Sequence, residues 1–242
     1  MAGVGCLDYE VYLRTKDLLA CQKPFDELFN QDELQFQIVH QIEELWMKLI
    51  AYTLLNIDEY LAGQSSCRVI TLFKRCHRTL HLMTEQLQLL ETMSPKEYQQ
   101  IRLHLGNGSG QESPGFRVLL QMIPNLWKTF EVAYLKGRGL TVDQIYDSQY
   151  VHDDAYMVAE AMMEFDELFQ KFRWNHMFLI HRSIGMGAAS LKGHSVDLLW
   201  TGARHRFFPQ LWDIRTQMTD RWGGAYGRVR ESIGAPAGGA GP

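Results

Sequence analysis

The chain has 242 residues, and its 24 basic and 28 acidic side chains are interspersed, giving a net charge of −4 and no basic stripe to follow a phosphate backbone; nucleic acid is excluded as a partner. Cys6, Cys21, Cys67 and Cys76 form no C-x-x-C, which argues against a zinc knuckle or a disulfide framework and fits free thiols in a reducing cytoplasm. The first ten residues lack a basic stretch followed by an apolar one, and no run approaches the roughly 18 apolar residues of a membrane span, so the expectation is a soluble cytoplasmic protein without a membrane partner.

No Pro/Gly/Ser-rich linker divides the chain before its tail, which favours one domain over residues 23–228, preceded by an arm over 1–22 and followed by a disordered tail over 229–242. In the arm, Tyr9 and Tyr12 lie one turn apart on a short helical segment and share a face that anchors to a neighbour. Pro24 opens a long helical pattern from about Phe25 to Leu61, with apolar residues at Phe36, Val39, Ile42, Leu45, Trp46, Leu49 and Ile50, and with His40 and Glu44 one turn apart. A-G-Q-S-S punctuates the chain at 62–66, and a second helical pattern runs from Cys67 to Met93.

Ser94-Pro95-Lys96-Glu97 predicts a capped helix start with a capping box, and the helix to about Leu105 puts Tyr98 and Arg102 on one face. The glycine-rich stretch 106–115 is a loop. A helix follows over Phe116–Leu135, with Pro124 marking a kink or a break. Thr141-Val142-Asp143-Gln144 is another capping-box start, from which one pattern can run to Ser183. Residues 185–195 read as a loop of small residues, and Val196–Trp200 and Phe208–Trp222 as short helical pieces. No period-two alternation and no internal repeat occur, so the fold class is all-α, a single helical bundle.

G-x-S-x-G, P-loop and strand-led G-x-G-x-x-G motifs are all missing, which sets nucleotide chemistry aside. His77 and His81, at i and i+4 among Lys74, Arg75 and Arg78, form either a metal pair lacking a third ligand or a solvated basic face. The stretch from Lys171 to Ser190 places His176 and His181 on an apolar helix, where each is either a core residue or a metal ligand. Two histidines on different helices facing one apolar slot suit a haem, and an arginine nearby suits a carboxylate held bidentately; His40, His176 and Arg102 offer that set. The 6 Trp and 11 Met would pack against a flat aromatic ligand, or simply form core.

At these residues the sequence resembles the tryptophan 2,3-dioxygenase family. Five ordered blocks carry the resemblance: Y-E-V-Y-L-R-T-K-D-L-L-A-C-Q in the arm, D-E-L-Q-F-Q-I-V-H-Q-I-E-E-L-W-M-K-L at 32–49, L-E-T-M-S-P-K-E-Y-Q-Q-I-R at 90–102, F-R-W-N-H-M from Phe172, and R-F-F-P-Q-L-W-D-I-R-T from Arg206. The resemblance implies haem b, with His176 as the proximal iron ligand and His181 not a ligand. It implies His40 as the distal catalytic histidine, with Phe36 one turn before it. Arg102 would bind the substrate carboxylate, Tyr98 would line the pocket, and Ser190 would stand where relatives place a threonine against the substrate ammonium. Tyr9, Tyr12 and Leu13 would arrive from a neighbouring subunit of a homotetramer built as a dimer of dimers.

The implied reaction uses O2 to oxidise the indole of tryptophan or a substituted, for instance methylated, tryptophan. This chain departs from the family pattern where relatives read G-T-G-G-S-S-G and it reads A-S-L-K-G-H-S at 189–195, with Lys192 and His194 new, and where S-G-Q-E-S replaces S-G-F-Q-S after Arg102. The altered loop leaves two products open, an N-formylkynurenine-type ring opening and a mono-oxygenated 2-oxindole. A peroxide-driven hydroxylase of a phenolic amino acid and a non-catalytic haem sensor are the alternatives; Arg102 together with His40 weighs against the sensor, since gas sensing needs no carboxylate clamp.

Overall fold

The computed structural model describes residues 7–106, 108, 112–189, 193, 202, 204–223 and 233. Among them the elements are helical: α1 (Asp8–Leu13), α2 (Thr15–Leu18), α3 (Glu33–Ala62), α4 (Ser66–Leu90), α5 (Pro95–Arg102), α6 (Pro114–Phe130), α7 (Val142–Tyr146), α8 (Asp154–Ile184) and α9 (Pro209–Trp222). The helical piece expected over Val196–Trp200 lies outside the described residues, as do the sequence departures at Ser190, Lys192, His194 and Gln111.

Helices α3, α4, α6 and α8 form the bundle. Contacts between them fix their directions. Gln35 on α3 reaches the Leu89 carbonyl at the far end of α4, so these two run antiparallel. Glu44 and Asp58 on α3 meet Gly115 and Thr129 on α6 in the same order, so that pair is parallel. Ser66 bonds Asp154, and His77 bonds the Ala161 carbonyl, so α4 and α8 are parallel too. The starts of α3 and α6 therefore share one end of the bundle with the finishes of α4 and α8.

One continuous core fills the interior, with Ile50, Leu54 and Ile57 of α3 against Phe73, Leu80 and Met83 of α4 and Phe165, Phe169 and Met162 of α8. Burying side chains of this size contributes about 1.5–3 kcal/mol each. α3 and α6 approach closely at Gly115, where a Cβ would stand 2.7 Å from the Glu44 carboxylate and 2.8 Å from Met47 Cβ; only glycine fits.

Several boundaries depart from the sequence expectation, each for a local reason. The first long helix starts at Glu33, not near Phe25, because Glu33 accepts the Phe29 N–H and Asn30 accepts the Asp32 N–H; residues 25–27 form a separate 3-10 turn. The α6 helix passes through Pro124 to Phe130 and then widens into a π-turn over Glu131–Leu135. The pattern expected to run from Thr141 to Ser183 is two helices. Thr141 and Gln144 form the expected capping box on a five-residue helix, which ends at Tyr146, and Asp153 starts α8 anew by accepting the Tyr156 N–H at 2.8 Å. At Ser94 only half of the box forms: Ser94 Oγ accepts the Glu97 N–H, while Glu97 Oε2 is buried without a hydrogen bond. No described helix is long and apolar enough to cross a membrane.

Candidate active site

The end of the bundle where α3 begins and α8 finishes gathers the residues of interest. On α3, Phe36 and His40 lie one turn apart with ring centroids 4.1 Å apart, and Tyr98 of α5 sits 6.3 Å from Phe36. The base of α5 is fixed to the chain before α3: Asn30 donates to the Glu97 carbonyl and to Gln100, and Phe29 stacks on His104 at 3.7 Å. Tyr98 therefore stands against α3 by construction of the local fold. Burial raises its phenol above the ordinary value, against the opposing pull of Arg102, so it stays protonated.

His40 sits in a recess that leaves part of its ring open to water while protein surrounds the rest. Desolvation lowers its imidazole below the ordinary value, outweighing the Phe36 carbonyl and the Glu44 carboxylate, which favour the charged form. Nδ1 lies 2.7 Å from the Phe36 carbonyl. A carbonyl only accepts, so Nδ1 carries the proton and Nε2 of the neutral ring keeps its lone pair.

His176, one turn after Phe172 and stacked near it, is surrounded more completely. Burial first, and then the nearby charge of His40, lower its imidazole to about 4, so it is neutral throughout the physiological range. The two histidines, 136 positions apart in the chain and on different helices, therefore lie near enough for the His40 ring to act on His176. Two neutral imidazoles near one another on different helices are a donor set that haem iron takes, and the aromatic rings of Phe36, Tyr98 and Phe172 suit a flat macrocycle, so the residues fit that group.

Arg102 ends α5 with Nη2 donating to the Ala189 carbonyl at 2.7 Å and Nη1 to Gln99 at 3.3 Å. A guanidinium has five N–H donors, so the remaining ones stay available to a carboxylate. The bond to Ala189 also ties the chain just beyond α8, where Gly185 stops the helix at φ +89°, to the face that carries Tyr98.

The other expected site residues fall elsewhere. Tyr9, Tyr12 and Leu13 lie on α1, whose residues are all exposed, and none of the three reaches the recess of its own chain. Ser190 lies outside the described residues. His77 is not on a solvated face: it is buried between α4 and α8, bonded to the Ala161 carbonyl and paired with Glu164 at 3.3 Å. Among the described residues no three His, Cys, Asp or Glu side chains are grouped as a metal site.

Two groups were not singled out from the sequence. Asp166, fully buried, accepts from the Phe207 and Phe208 N–H groups and from Trp212 Nε1, all within 3.0 Å. Arg173, one turn before His176, lies between the rings of Phe169 and Phe207 and donates to the Gly202 and His205 carbonyls. Burial lowers its guanidinium to about 10, so it remains charged at neutral pH. Together they dock the R-F-F-P-Q-L-W block onto the helix that carries His176. The available signal was a charged residue inside an apolar helical run, at A-M-M-E-F-D-E-L-F and F-R-W-N-H-M.

The family model for tryptophan 2,3-dioxygenase matches residues 2–135. Tryptophan 2,3-dioxygenase from Myxococcus xanthus is 28% identical over 264 aligned positions, which cover 89% of this chain and 91% of the relative. The protein of the same name from Saccharopolyspora erythraea is 28% identical over 262 positions, covering 88% and 93%. That from Xanthomonas euvesicatoria is 29% identical over 264, covering 88% of each.

Proposed function

This chain belongs to the tryptophan 2,3-dioxygenase family and is a haem-dependent oxidoreductase, and we propose that it oxidises the indole ring of tryptophan or a substituted tryptophan, with His176 on the iron and His40 on the substrate side. The observation that supports the reading is the proximity of two neutral imidazoles, one from α3 and one from α8, at the end of the bundle where Arg102 bonds the chain beyond α8. Bound there, haem supplies an iron that activates O2 toward the electron-rich indole.

The protein's own residues orient and protect. His40 Nε2 is an acceptor aimed away from the Phe36 carbonyl, fit to take a hydrogen bond from the indole N–H and to accept its proton if the reaction releases one. Arg102 supplies a charged fork for the carboxylate of the amino acid, fixing the ring relative to His40. Phe36 and Tyr98 give the indole an apolar wall.

The arm supports a self-assembled enzyme. Among the described residues Tyr9, Val11, Tyr12, Leu13, Leu18 and Leu19 are all exposed, a density of apolar side chains suited to cover by a second copy. We assign Tyr9, Tyr12 and Leu13 to the recess of a neighbouring subunit in a homotetramer, and Ser190 to the ammonium of the substrate.

Product identification tests the reading. Turnover of tryptophan and its methylated analogues under isotopically labelled O2, followed by mass spectrometry, is expected to show two label atoms in a ring-opened, N-formylkynurenine-type product. One label atom in an intact 2-oxindole establishes the mono-oxygenation that Ala189-Ser190, in place of Gly-Thr, makes the second reading; that outcome requires two electrons from an added reductant. Turnover of tyrosine with peroxide, and none of any tryptophan with O2, overturns both.

A further inference from the structure

Among the described residues, α3 has an outward face that is largely uncovered, touched at Gln41 by Cys21 and Gln22. Ile38 is 38% exposed, Leu45 52%, Tyr52 65% and Leu55 57%, and Lys48, Glu59 and Ala62 are exposed beside them. With Gln41, these positions recur at alternating steps of three and four residues, the seam pattern of a helix that pairs with another helix along its length. The seam runs from 38 to 62, about 36 Å at 1.5 Å per residue. At Ile38 the seam points away from Phe36 and His40, each two residues off and so about 200° round the helix.

The order of residues along this seam is self-complementary. If a second α3 is laid antiparallel with a two-fold axis at the level of residue 50, Leu45 meets Leu55, Lys48 meets Tyr52, Ile38 meets Ala62 and Gln41 meets Glu59. Each of the four layers occurs twice by symmetry. Apolar residues face apolar ones, the Lys48 ammonium faces an aromatic ring, and Glu59 faces an amide, so no layer sets like charges together. A parallel pairing in register would instead oppose Lys48 to Lys48 and Glu59 to Glu59. The Gln41 amide is held at the root of the arm by Cys21 and Gln22, so the arm leaves its own chain at one end of this seam, beside the far end of the partner helix.

We propose that this face is a two-fold interface between copies of the chain, formed by antiparallel pairing of α3 about residue 50. The inference rests on the self-assembly proposed above and not on the haem chemistry, and its test reads assembly alone. In a chain with Cys6, Cys21 and Cys67 replaced by serine, Leu45→Cys together with Leu55→Cys is expected to give a covalent dimer under mild oxidation. Neither single variant is expected to do so, because the two-fold separates like positions by about 15 Å along the axis, beyond the roughly 7 Å that a disulfide spans. A covalent dimer from either single variant, or none from the double variant while native mass shows an oligomer, overturns the seam and leaves assembly standing. A native mass equal to the monomer overturns both. Leu45→Glu with Leu55→Glu is expected to lower the native mass by half or more while helix content, read by circular dichroism, is kept; an unchanged mass overturns the proposal.

Discussion

Where α3 hands over to α4, Asp154 takes both Arg138 terminal nitrogens and the Ser66 hydroxyl, Ser66 meets the buried Tyr134 hydroxyl at 2.8 Å, and Arg138 lies over the Tyr134 ring. At the other end, where α3 begins, both Glu43 carboxylate oxygens and Gln86 Nε2 are buried without a hydrogen-bond partner, and burial lowers the His40 and His176 imidazoles below their ordinary value. The first arrangement is what a folding anchor needs, since each buried polar group recovers what it loses on leaving water. The second leaves polar capacity unsatisfied inside the bundle, a cost that the first end avoids. The same four helices thus have a closed end and an end that carries the proposed haem residues, with Asp166 and Arg173 fastening the C-terminal segment to α8.

The largest effect that can break this contrast is at His176. His176→Ala is expected to abolish the haem absorbance band of the purified protein and to leave the far-ultraviolet circular dichroism unchanged, because the residue belongs to the binding end and not to the anchor. A retained band removes His176 as the ligand; a lost fold removes the division of labour itself. Arg102→Met comes next, weakening substrate binding by about 2–5 kcal/mol if a desolvated charge pair is broken, as read by titration of tryptophan into the haem-loaded protein. Unchanged affinity takes Arg102 out of the site.

Glu43 sharpens the contrast in the opposite direction, because its removal is expected to stabilise. Burial raises its carboxyl to about 8, with Gln86 opposing and Glu44 adding to the rise. In the unfolded chain it ionises near its ordinary value of 4.5, so wild-type stability is fully present below that pH and declines as pH rises toward about 8. Glu43→Gln removes this decline. Denaturant unfolding at pH 8 is expected to show the variant more stable by about 1–3 kcal/mol, with no gain at pH 4. An equal gain at both values shows that packing, not protonation, is responsible.

These differences were unequally legible in the sequence. The four bundle helices follow from apolar periodicity, and Ser94-Pro95 and Thr141-Gln144 marked two starts. The break between α7 and α8 was not legible, because the segment 147–153 has neither glycine nor proline and its break is made by Asp153 capping a new helix. His40, His176 and Arg102 were visible as residue types and became a set through resemblance; spacing alone could not show that two imidazoles on helices so far apart in the chain lie near one another. Glu43 was indistinguishable from Glu44 on paper. The structure separates them: Glu44 accepts Ser113 Oγ and the Gly115 N–H at the start of α6, and Glu43 meets neither.

The smallest predicted effect belongs to the closed end. Arg138, chiefly, holds the Asp154 carboxyl down at about 2, with Ser66 assisting against the opposing effect of burial. A depressed carboxylate stabilises the fold above its unfolded value of 3.8, and that contribution is lost as pH falls toward about 2. Asp154 is 43% exposed at its side chain, so solvent screening cuts the benefit to about 1 kcal/mol. Asp154→Asn is therefore expected to lose about that much at pH 7, and the gap between variant and wild type should close as pH falls from 4 to 2. Haem binding should be unchanged, since Asp154 lies at the other end of the 31-residue helix from His176. If the gap stayed constant down to pH 2, lost packing around Ser66 and Tyr134 would account for it; if haem binding fell as well, the two ends would be mechanically coupled along α8.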